Sequence, residues 1–176
     1  MENIDIAIIT GSKSDLNLIQ ETVNILKKFG LSYSLNIASA HRTTEHLKQC
    51  IQCALSSGVK VFIAIAGMSA ALPGVIASQT ILPVIGVPID RKSLSGLDSL
   101  FSMVQMPEGV PVATVALGKT GAVNAAILAV QIIAIIKDDL REKLKAYKMK
   151  IAQEVVKEDL KLQQYGFDKY LEGLTK

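Results

Sequence analysis

Residues 4–15 have the sequence IDIAIITGSKSD, in which a short apolar segment rich in β-branched residues runs directly into a loop of small and polar residues. The apolar segment, over 4–10, predicts a buried β-strand, and apolar residues at helical spacing over 16–29 predict a helix after the loop. Gly30 follows that helix and is predicted to cap it, because glycine readily adopts the left-handed conformation of a helix C-terminus. This stretch therefore predicts one strand–loop–helix unit.

The same unit recurs along the chain. Further apolar strands are predicted over 33–38, 61–66, 83–87 and 112–116, and each leads into a loop of small or polar residues. Apolar strands that alternate with helices indicate a parallel sheet covered on both faces. Right-handed crossovers place all the strand-to-helix loops at one edge of such a sheet, outside the carboxyl ends of the strands, where ligands bind in this class of fold.

The composition changes after residue 137. Charged residues become dense, glycine and proline are absent until Gly166, and apolar residues recur at helical spacing. We predict a single domain over 1–176 with an α/β core over 4–136. Residues 137–176 are predicted to form one long amphipathic helix and a short final helix, which pack on the core or on a neighbouring subunit.

The overall composition favours self-association. Hydrophobic residues make up 49% of the 176 residues and charged residues only 20%. One small domain does not normally hide so much apolar surface, so the composition predicts a homo-oligomer. The net charge is only +3, and no basic segment is interleaved with aromatic residues, which argues against a nucleic-acid partner.

The hydropathy pattern argues against membrane insertion. The most apolar stretch, over 122–136, contains Asn124 and Gln131, and its length of about 15 residues falls short of the ~20 that cross a bilayer. The N-terminus lacks the basic start and the small-residue cleavage site of a signal peptide. We therefore predict a buried helix, no membrane contact and a cytoplasmic protein.

The candidate for acid–base chemistry is His41, one of only two histidines in the chain. It lies in the segment SAHR at 39–42, where a predicted strand turns into a predicted helix, and it is followed by Arg42. An imidazole titrates near neutrality, and a guanidinium attracts anions, so the pair suits proton transfer on an anionic substrate. The alternative is a surface histidine that helps to cap the helix.

Two other loops at the same edge suit ligand binding. The loop GSKSD at 11–15 directly precedes a predicted helix. Its backbone N–H groups and the hydroxyls of Ser12 and Ser14 are therefore suited to binding a phosphate. Asp15 either accepts hydrogen bonds from ribose hydroxyls or caps the helix, and the loop alone favours capping. The loop GMSAALPG at 67–74 has no titratable side chain; it either brings backbone amides to a ligand or forms a tight turn.

The two cysteines are predicted to be reduced structural thiols. Cys50 and Cys53 lie inside the predicted helix 43–57, whereas a reactive pair of this spacing needs the helix N-terminus to lower its thiol pKa. His46 shares their helical spacing, but no second ligand pair completes a tetrahedral metal site. Cys50 falls on the apolar face of the helix, and we predict no metal.

Two further loops resemble known motifs only in part. The segment GKT at 118–120 matches the end of a Walker A motif, but Ala113 stands where that motif requires glycine, so ATP binding here is rejected. Lys119 is predicted to shape the entry of the following helix. Asp98, in SGLDS at 95–99, is predicted to cap a helix start.

Taken together and in order, the loops closely resemble a known enzyme family over residues 4–136. The segments that carry the resemblance are GSKSD (11–15), SAHRT (39–43), LPG (72–74), LPVIGVP (82–88), GLDSL (96–100), VQMP (104–107) and GVPVATVA (109–116). They are similar to those of the 5-(carboxyamino)imidazole ribonucleotide mutase family, the catalytic-subunit type of phosphoribosylaminoimidazole carboxylase in de novo purine synthesis.

The resemblance implies a flavodoxin-like three-layer α/β/α fold, a homo-octamer with active sites shared between subunits, and neither a metal nor an organic cofactor. It implies that His41 is the general acid/base and that the partner molecule is a small ribonucleotide. The residues predicted to bind this substrate are Ser12, Ser14, Asp15, Ser39, Ala40, Arg42, Gly67, Met68, Ala71 and Leu72.

The reaction that the family implies moves a carboxylate within one molecule. The substrate carbamate loses carbon dioxide inside a closed pocket, and a carbon of the aminoimidazole ring then attacks that carbon dioxide. Loss of the carbamate needs a proton delivered to nitrogen, and restoring the aromatic ring needs a proton removed from carbon. One imidazole that alternates between two protonation states performs both transfers.

The chain departs from the family pattern in the loop after the third strand. Ala71 stands where family members commonly have a second histidine, and Met68 and Ser69 replace smaller residues. This less polar loop leaves open a carboxylase that takes carbon dioxide directly, although the other motifs favour the mutase. A non-catalytic module that binds nucleotide phosphate on the same fold is the alternative of another class.

Overall fold

The computed structural model describes residues 4–91 and 94–174. The strands are β1 (Ile6–Thr10), β2 (Tyr33–Ile37), β3 (Val61–Gly67), β4 (Val84–Ile89) and β5 (Ala113–Thr114). The α-helices are α1 (Leu16–Phe29), α2 (Thr44–Ser56), α3 (Leu72–Ala77), α4 (Leu97–Val104), α5 (Gly118–Ala134), α6 (Asp138–Tyr165) and α7 (Phe167–Leu174). Each strand is thus followed by a helix, as the sequence predicts.

Within the described residues, the strands form one parallel sheet in the order β2-β1-β3-β4-β5. This is the flavodoxin-like order, and the predicted fold class is confirmed. The chain leaves β1 toward β2 on one side and continues from β3 on the other, so the strand order reverses between β1 and β3. Doubly wound sheets bind ligands above that reversal, at the carboxyl ends of the strands.

The core surrounds the central strands, whose side chains are buried on both faces of the sheet. On one face, residues such as Ile9 and Phe62 pack with buried side chains of α2, α3 and α4. Ile8 and Ile63 point the opposite way and are equally buried. The helices α1 and α5 lie side by side, because the Thr22 hydroxyl of α1 donates to the Ala122 carbonyl of α5 at 2.9 Å. Since α2, α3 and α4 pack on the first face, α1 and α5 cover the second.

The end of α1 confirms the predicted glycine cap. Gly30 has φ 74° and ψ 31°, the left-handed conformation, and its N–H points to the carbonyls of Leu26 and Lys27. A side chain at this position would be strained, because L-residues rarely adopt positive φ. Glycine here lets the chain reverse sharply into β2.

Two local predictions are corrected. β5 is shorter than the predicted strand over 112–116, because Pro111 has no N–H to donate and the chain must turn before α5 begins at Gly118. Asp98 does not cap α4: it lies in the first turn of the helix, and no side chain makes a capping hydrogen bond there. The Ser99 hydroxyl caps no N–H group there either, because it is a donor whose oxygen lies 2.9 Å from the Gly96 carbonyl oxygen and 3.0 Å from the Ile89 carbonyl oxygen.

The chain divides into two compact units, Met1–Ile133 and Ala134–Lys176. The second unit contains α6 and α7, which match the long and the short helix that the sequence predicts. Tyr170 of α7 donates to Glu158 of α6 at 2.8 Å, and hydrogen bonds from Lys161 and then Tyr170 lower the pKa of the Glu158 carboxyl. The assignment of the whole chain to a single domain stays a prediction.

The long apolar helix α5 begins at Gly118, four residues before the stretch 122–136 that the sequence predicts to be a buried helix, and it ends at Ala134, within that stretch. Its residues Ala122, Ala126 and Val130 are fully buried. Across residues 4–91 and 94–174, no helix combines the length and the apolar character that a membrane span requires.

Candidate active site

A cavity of about 550 Å³ opens at the carboxyl edge of the sheet, where the loops after β1, β2, β3 and β4 meet. Every residue predicted for catalysis or substrate binding lines it: Ser12, Ser14, Asp15, Ser39, Ala40, His41, Arg42, Gly67, Met68, Ala71 and Leu72. The lining also includes residues that the sequence analysis did not select: Gly11, Ala66, Ser69, Ala70 and Arg91. The structure brings the predicted residues together, while their roles stay predictions.

The loop after β1 is shaped by its two serines. Ser12 caps a short 3-10 turn (Lys13–Asp15): its hydroxyl oxygen accepts a hydrogen bond from the Ser14 backbone N–H at 3.3 Å. The two hydroxyl oxygens lie 2.8 Å apart, and α1 begins directly after the turn. Hydroxyl groups at the start of a 14-residue helix are well suited to an anion such as phosphate.

Asp15 does not cap α1, contrary to the prediction from the loop alone. Its side chain makes no capping hydrogen bond and is 4% exposed. The carboxylate instead accepts hydrogen bonds from the hydroxyls of Thr10 at 2.9 Å and Ser14 at 3.2 Å, and it forms an ion pair with Arg91. The Asp15 carboxylate therefore pairs with Arg91, from the loop after β4, and not with the N–H groups at the start of α1.

The loop after β2 is a hydrogen-bonded turn that holds His41 and Arg42 in place. The Ser39 N–H donates to the Thr43 hydroxyl at 2.8 Å, and the Arg42 N–H donates to the Ser39 hydroxyl at 3.3 Å. The Arg42 guanidinium reaches across to the loop after β1 and donates to the Gly11 carbonyl at 3.3 Å. The two loops are therefore connected at the mouth of the cavity.

His41 projects from this turn as an exposed side chain on the wall of the cavity. Among the described residues, its ring has no hydrogen-bond partner. The helix α2 that follows is preceded by Thr43 and has no side-chain capping bond, so the capping alternative for His41 is wrong. An imidazole without a structural partner is available to exchange a proton with a bound ligand.

The loop after β3 contributes small side chains and backbone groups. Met68 has φ 59°, a left-handed conformation that costs a non-glycine residue about 1–2 kcal/mol. The Ala70 N–H donates to the Met68 carbonyl at 2.8 Å, and the Ala71 N–H donates to the Ser69 carbonyl at 2.6 Å. Backbone strain of this kind clusters at ligand sites, where surrounding structure holds it. As predicted, no titratable side chain comes from this loop.

Arg91 is the polar residue that the sequence analysis missed. It follows β4 by two positions and reaches over the end of β3 to the loop after β1. Its guanidinium donates to the Ser14 hydroxyl at 2.7 Å and pairs with Asp15. The available signal was two charged residues, Asp90 and Arg91, three and four positions after the end of the predicted strand 83–87, because loops that follow strands lie at the ligand-binding edge.

The cysteines and the GKT segment lie apart from the lining of this cavity. Cys50 is buried, as predicted, and burial followed by the neighbouring Cys53 raises the pKa of its thiol. In the parts of the chain that the structure describes, no group of three or more His, Cys, Asp or Glu side chains is arranged to hold a metal ion. Lys119 forms an ion pair with Glu21 at 2.8 Å at the start of α5.

The fold and the site together define a class. A flavodoxin-like sheet carries, above the reversal in its strand order, a cavity lined by two guanidinium groups and by a histidine that has no partner in the described part of the chain. Arg42 and Arg91 exceed the single carboxylate of Asp15 by one positive charge. The cavity therefore lies where α/β proteins with a parallel sheet bind small molecules, and its excess positive charge suits an anion.

Comparison with known sequences gives the family. Residues 5–154 match the family model described as AIR carboxylase, and the chain belongs to this family of enzymes. The chain is 48% identical over 166 residues to the N5-carboxyaminoimidazole ribonucleotide mutase of Pyrococcus horikoshii, which covers 94% of this chain and 93% of that protein. It is 48% identical over 139 residues to the mutase of the same name from Bacillus subtilis, covering 79% and 86%.

Solved structures agree with the sequence comparison. A crystal structure of a Treponema denticola PurE2 variant superposes with a TM-score of 0.84 at 31% identity, covering 92% of this chain and 99% of that chain. A crystal structure of Treponema denticola PurE superposes with a TM-score of 0.81 at 32% identity, covering 89% and 97%. The family that the loop motifs predict is confirmed.

Proposed function

We propose that the protein is a mutase that converts 5-(carboxyamino)imidazole ribonucleotide to 4-carboxy-5-aminoimidazole ribonucleotide in de novo purine (IMP) biosynthesis. The observation that carries the proposal is the position of His41, without a partner among the described residues, on a cavity that also presents serine hydroxyls and Arg42. The names of relatives that are 45–51% identical to the chain support the same reaction.

The ribonucleotide is bound at the end of the cavity formed by the loops after β1 and β2. The phosphate is received by the hydroxyls of Ser12, Ser14 and Ser39 and by the guanidinium of Arg42, which pairs with no carboxylate in the described parts of the chain. A charge-assisted hydrogen bond from a guanidinium to phosphate is among the stronger polar contacts. Asp15 accepts a hydrogen bond from a ribose hydroxyl.

His41 moves one proton twice. As an imidazolium it donates a proton to the carbamate nitrogen while the bond from nitrogen to the carboxylate carbon breaks, which releases carbon dioxide and leaves the free amine. The ring carbon then forms a bond to carbon dioxide. The neutral imidazole takes the proton from that carbon, and the aromatic ring is restored. The proton balance closes, so the enzyme returns to its starting state.

The loop after β3 keeps carbon dioxide beside the ring. Ala66, Ala70 and Ala71 have small apolar side chains, and Gly67 has none, so this part of the wall is mostly apolar, with Ser69 as its hydroxyl group. Confinement of a small reactant next to its target replaces a bimolecular encounter with an intramolecular one, which lowers the barrier. Exclusion of water prevents the loss of carbon dioxide as bicarbonate.

The protein acts as a cytoplasmic homo-oligomer, for which the resemblance implies an octamer with shared active sites. Exposed apolar side chains support self-association: Leu97, Phe101 and Val104 lie one turn apart on α4 and are 48%, 57% and 53% exposed. A stripe of this kind is typical of an interface. His41 is exposed in the single chain, and a neighbouring subunit would complete its closed pocket.

Replacing Arg42 by alanine should raise the KM for the ribonucleotide by at least about tenfold and change kcat much less, because the change removes a charged contact that is present in ground state and transition state alike. Steady-state kinetics over a range of substrate concentrations would measure both constants. Lys48→Ala, which removes an exposed positive charge from α2 outside the cavity lining, is the matched control. An unchanged KM in Arg42→Ala would remove Arg42 from the phosphate site.

The reaction is tested by giving the purified protein two substrates in separate assays. One assay contains the carbamate ribonucleotide, and the other contains aminoimidazole ribonucleotide with bicarbonate at low concentration. Turnover of the carbamate alone is the expected result. Efficient use of aminoimidazole ribonucleotide would instead identify a direct carboxylase, and inactivity with both, together with binding, would identify a non-catalytic module.

A further inference from the structure

Arg91 belongs to the loop after β4 and contacts two other parts of the cavity wall, the loop after β1 and the end of β3. Its guanidinium donates to the Ser14 hydroxyl at 2.7 Å and forms an ion pair with Asp15. The aliphatic part of its side chain crosses Gly67 at the end of β3: a Cβ atom built on Gly67 would lie 2.7 Å from Arg91 Cγ. Glycine at position 67 thus leaves the space through which Arg91 reaches the loop after β1.

The Asp15 carboxylate needs this cation. It is 4% exposed, and a buried carboxylate without a positive partner is strongly destabilised relative to its position in water. Thr10 and Ser14 supply hydrogen bonds from hydroxyl groups, which carry no charge, and Arg91 supplies the positive charge. Among the described residues, Arg91 is the ion-pair partner of Asp15.

The carboxylate retains capacity for a ligand. Its two oxygens offer about four acceptor positions, of which Thr10, Ser14 and Arg91 use three. One position therefore remains for a ligand in the cavity that Asp15 lines. The Ser14 hydroxyl accepts a hydrogen bond from Arg91 and gives its one proton to Asp15. When a phosphate binds, this O–H can turn from the carboxylate to the phosphate, and the hydrogen bond from the cation makes it a stronger donor.

We propose that Arg91 is a positioning residue of the ribonucleotide pocket, which holds the charged Asp15 carboxylate and the Ser14 hydroxyl in the arrangement that binds the ribose and the phosphate of the ligand. This inference rests on the proposed function, because that function supplies the ligand. Arg91 itself contacts Asp15, Ser14 and Gly67 rather than the reacting atoms. Its influence is therefore on substrate binding and not on the proton transfers of His41.

Arg91→Met tests the inference, because methionine keeps much of the aliphatic chain and removes the guanidinium. The affinity for the ribonucleotide product, measured by titration calorimetry, should fall at least about tenfold, and kcat should stay within about twofold. Arg91→Lys, which keeps the positive charge but lacks the planar guanidinium group, should retain part of the affinity for the product that Arg91→Met loses. Arg141→Met, which removes an exposed guanidinium paired with Asp138, is the matched control and should bind like the wild type.

Two further measurements separate positioning from general damage to the fold. Millimolar guanidinium ion added to Arg91→Met should restore affinity, because the ion can occupy the vacated site beside Asp15, whereas it does not repair a misfolded chain. Gly67→Ala should weaken binding by displacing the Arg91 side chain, and this effect should shrink when Arg91→Met is already present. Additive losses in the double variant would contradict the connection between Gly67 and Arg91.

The outcomes distinguish this inference from the proposed function. Wild-type affinity in Arg91→Met, with wild-type protein that binds the ribonucleotide, would overturn the role of Arg91 and leave the proposed function intact. A wild-type protein that does not bind the ribonucleotide would overturn both. Weaker binding that neither guanidinium ion nor lysine restores would assign Arg91 to the stability of the loops instead, and would also overturn the inference.

Discussion

His41→Asn should lower kcat by at least about 100-fold, the usual scale for losing a general acid/base, and leave the KM for the ribonucleotide nearly unchanged. Asparagine is close to histidine in size and remains polar, but it neither gains nor loses a proton near neutral pH. His41 makes no hydrogen bond to the other described residues, so its replacement removes no contact on which the fold depends. Single-turnover and steady-state kinetics with the carbamate ribonucleotide would measure the loss.

The other histidine provides the control for this experiment. His46 lies on α2, and its Nε2 is 3.6 Å from the sulfur of buried Cys50, outside the lining of the cavity. His46→Asn should therefore retain turnover close to that of the wild type. Wild-type turnover in His41→Asn would remove the proposed mechanism, and an equal loss in both variants would indicate a general effect on the fold.

Gly121→Ala should destabilise the protein by about 3 kcal/mol or more, because overpacking against backbone leaves little room to relax. A Cβ atom on Gly121 would lie 1.7 Å from the Ala116 carbonyl oxygen and 3.2 Å from Val87 Cγ1. The first turn of α5 would have to move away from Ala116 and Val87. Thermal unfolding should show a Tm lower by roughly 6–12 °C, the scale for a chain of this length.

Gly11→Ala is the matched control in the same compact unit. A Cβ atom on Gly11 would meet no atom within 4 Å, so this variant should unfold within about 0.5 kcal/mol of the wild type. A stable Gly121→Ala variant would mean that the start of α5 can shift without cost, contrary to its close packing against Ala116 and Val87.

The fold was accessible from the sequence because its strands are short, apolar and separated by glycine-rich loops. The segment 4–10 predicts β1, and the structure has Ile6–Thr10. The edge strand β5 was predicted too long, because an apolar pattern does not reveal where a chain leaves a sheet to begin a helix. The order of the strands was not predicted, since it depends on contacts between distant segments.

The location of the site could also be predicted from the sequence, whereas the ion pair within it could not. The loops that carry Ser12, His41 and Met68 each follow a strand, and parallel strands bring such loops to one edge. The ion pair of Arg91 with Asp15 could not be predicted in this way, because its residues are far apart in the sequence. Ser14, the neighbour of Asp15, is 77 positions from Arg91. Seen alone, an aspartate before a helix indicates a cap. The family resemblance predicted Asp15 as a substrate-binding residue, but nothing in the sequence revealed the distant cation that pairs with it.

The central claim is that a ribonucleotide lies in this cavity with its ring beside His41. A structure of the protein with the carboxylated product bound tests the claim most directly. The account predicts the phosphate on Ser12 and Arg42, and the carbon that carries the carboxylate within about 3.5 Å of an imidazole nitrogen, the reach of a proton transfer. A ribonucleotide bound elsewhere, or in this cavity with its ring turned away from His41, would contradict the account.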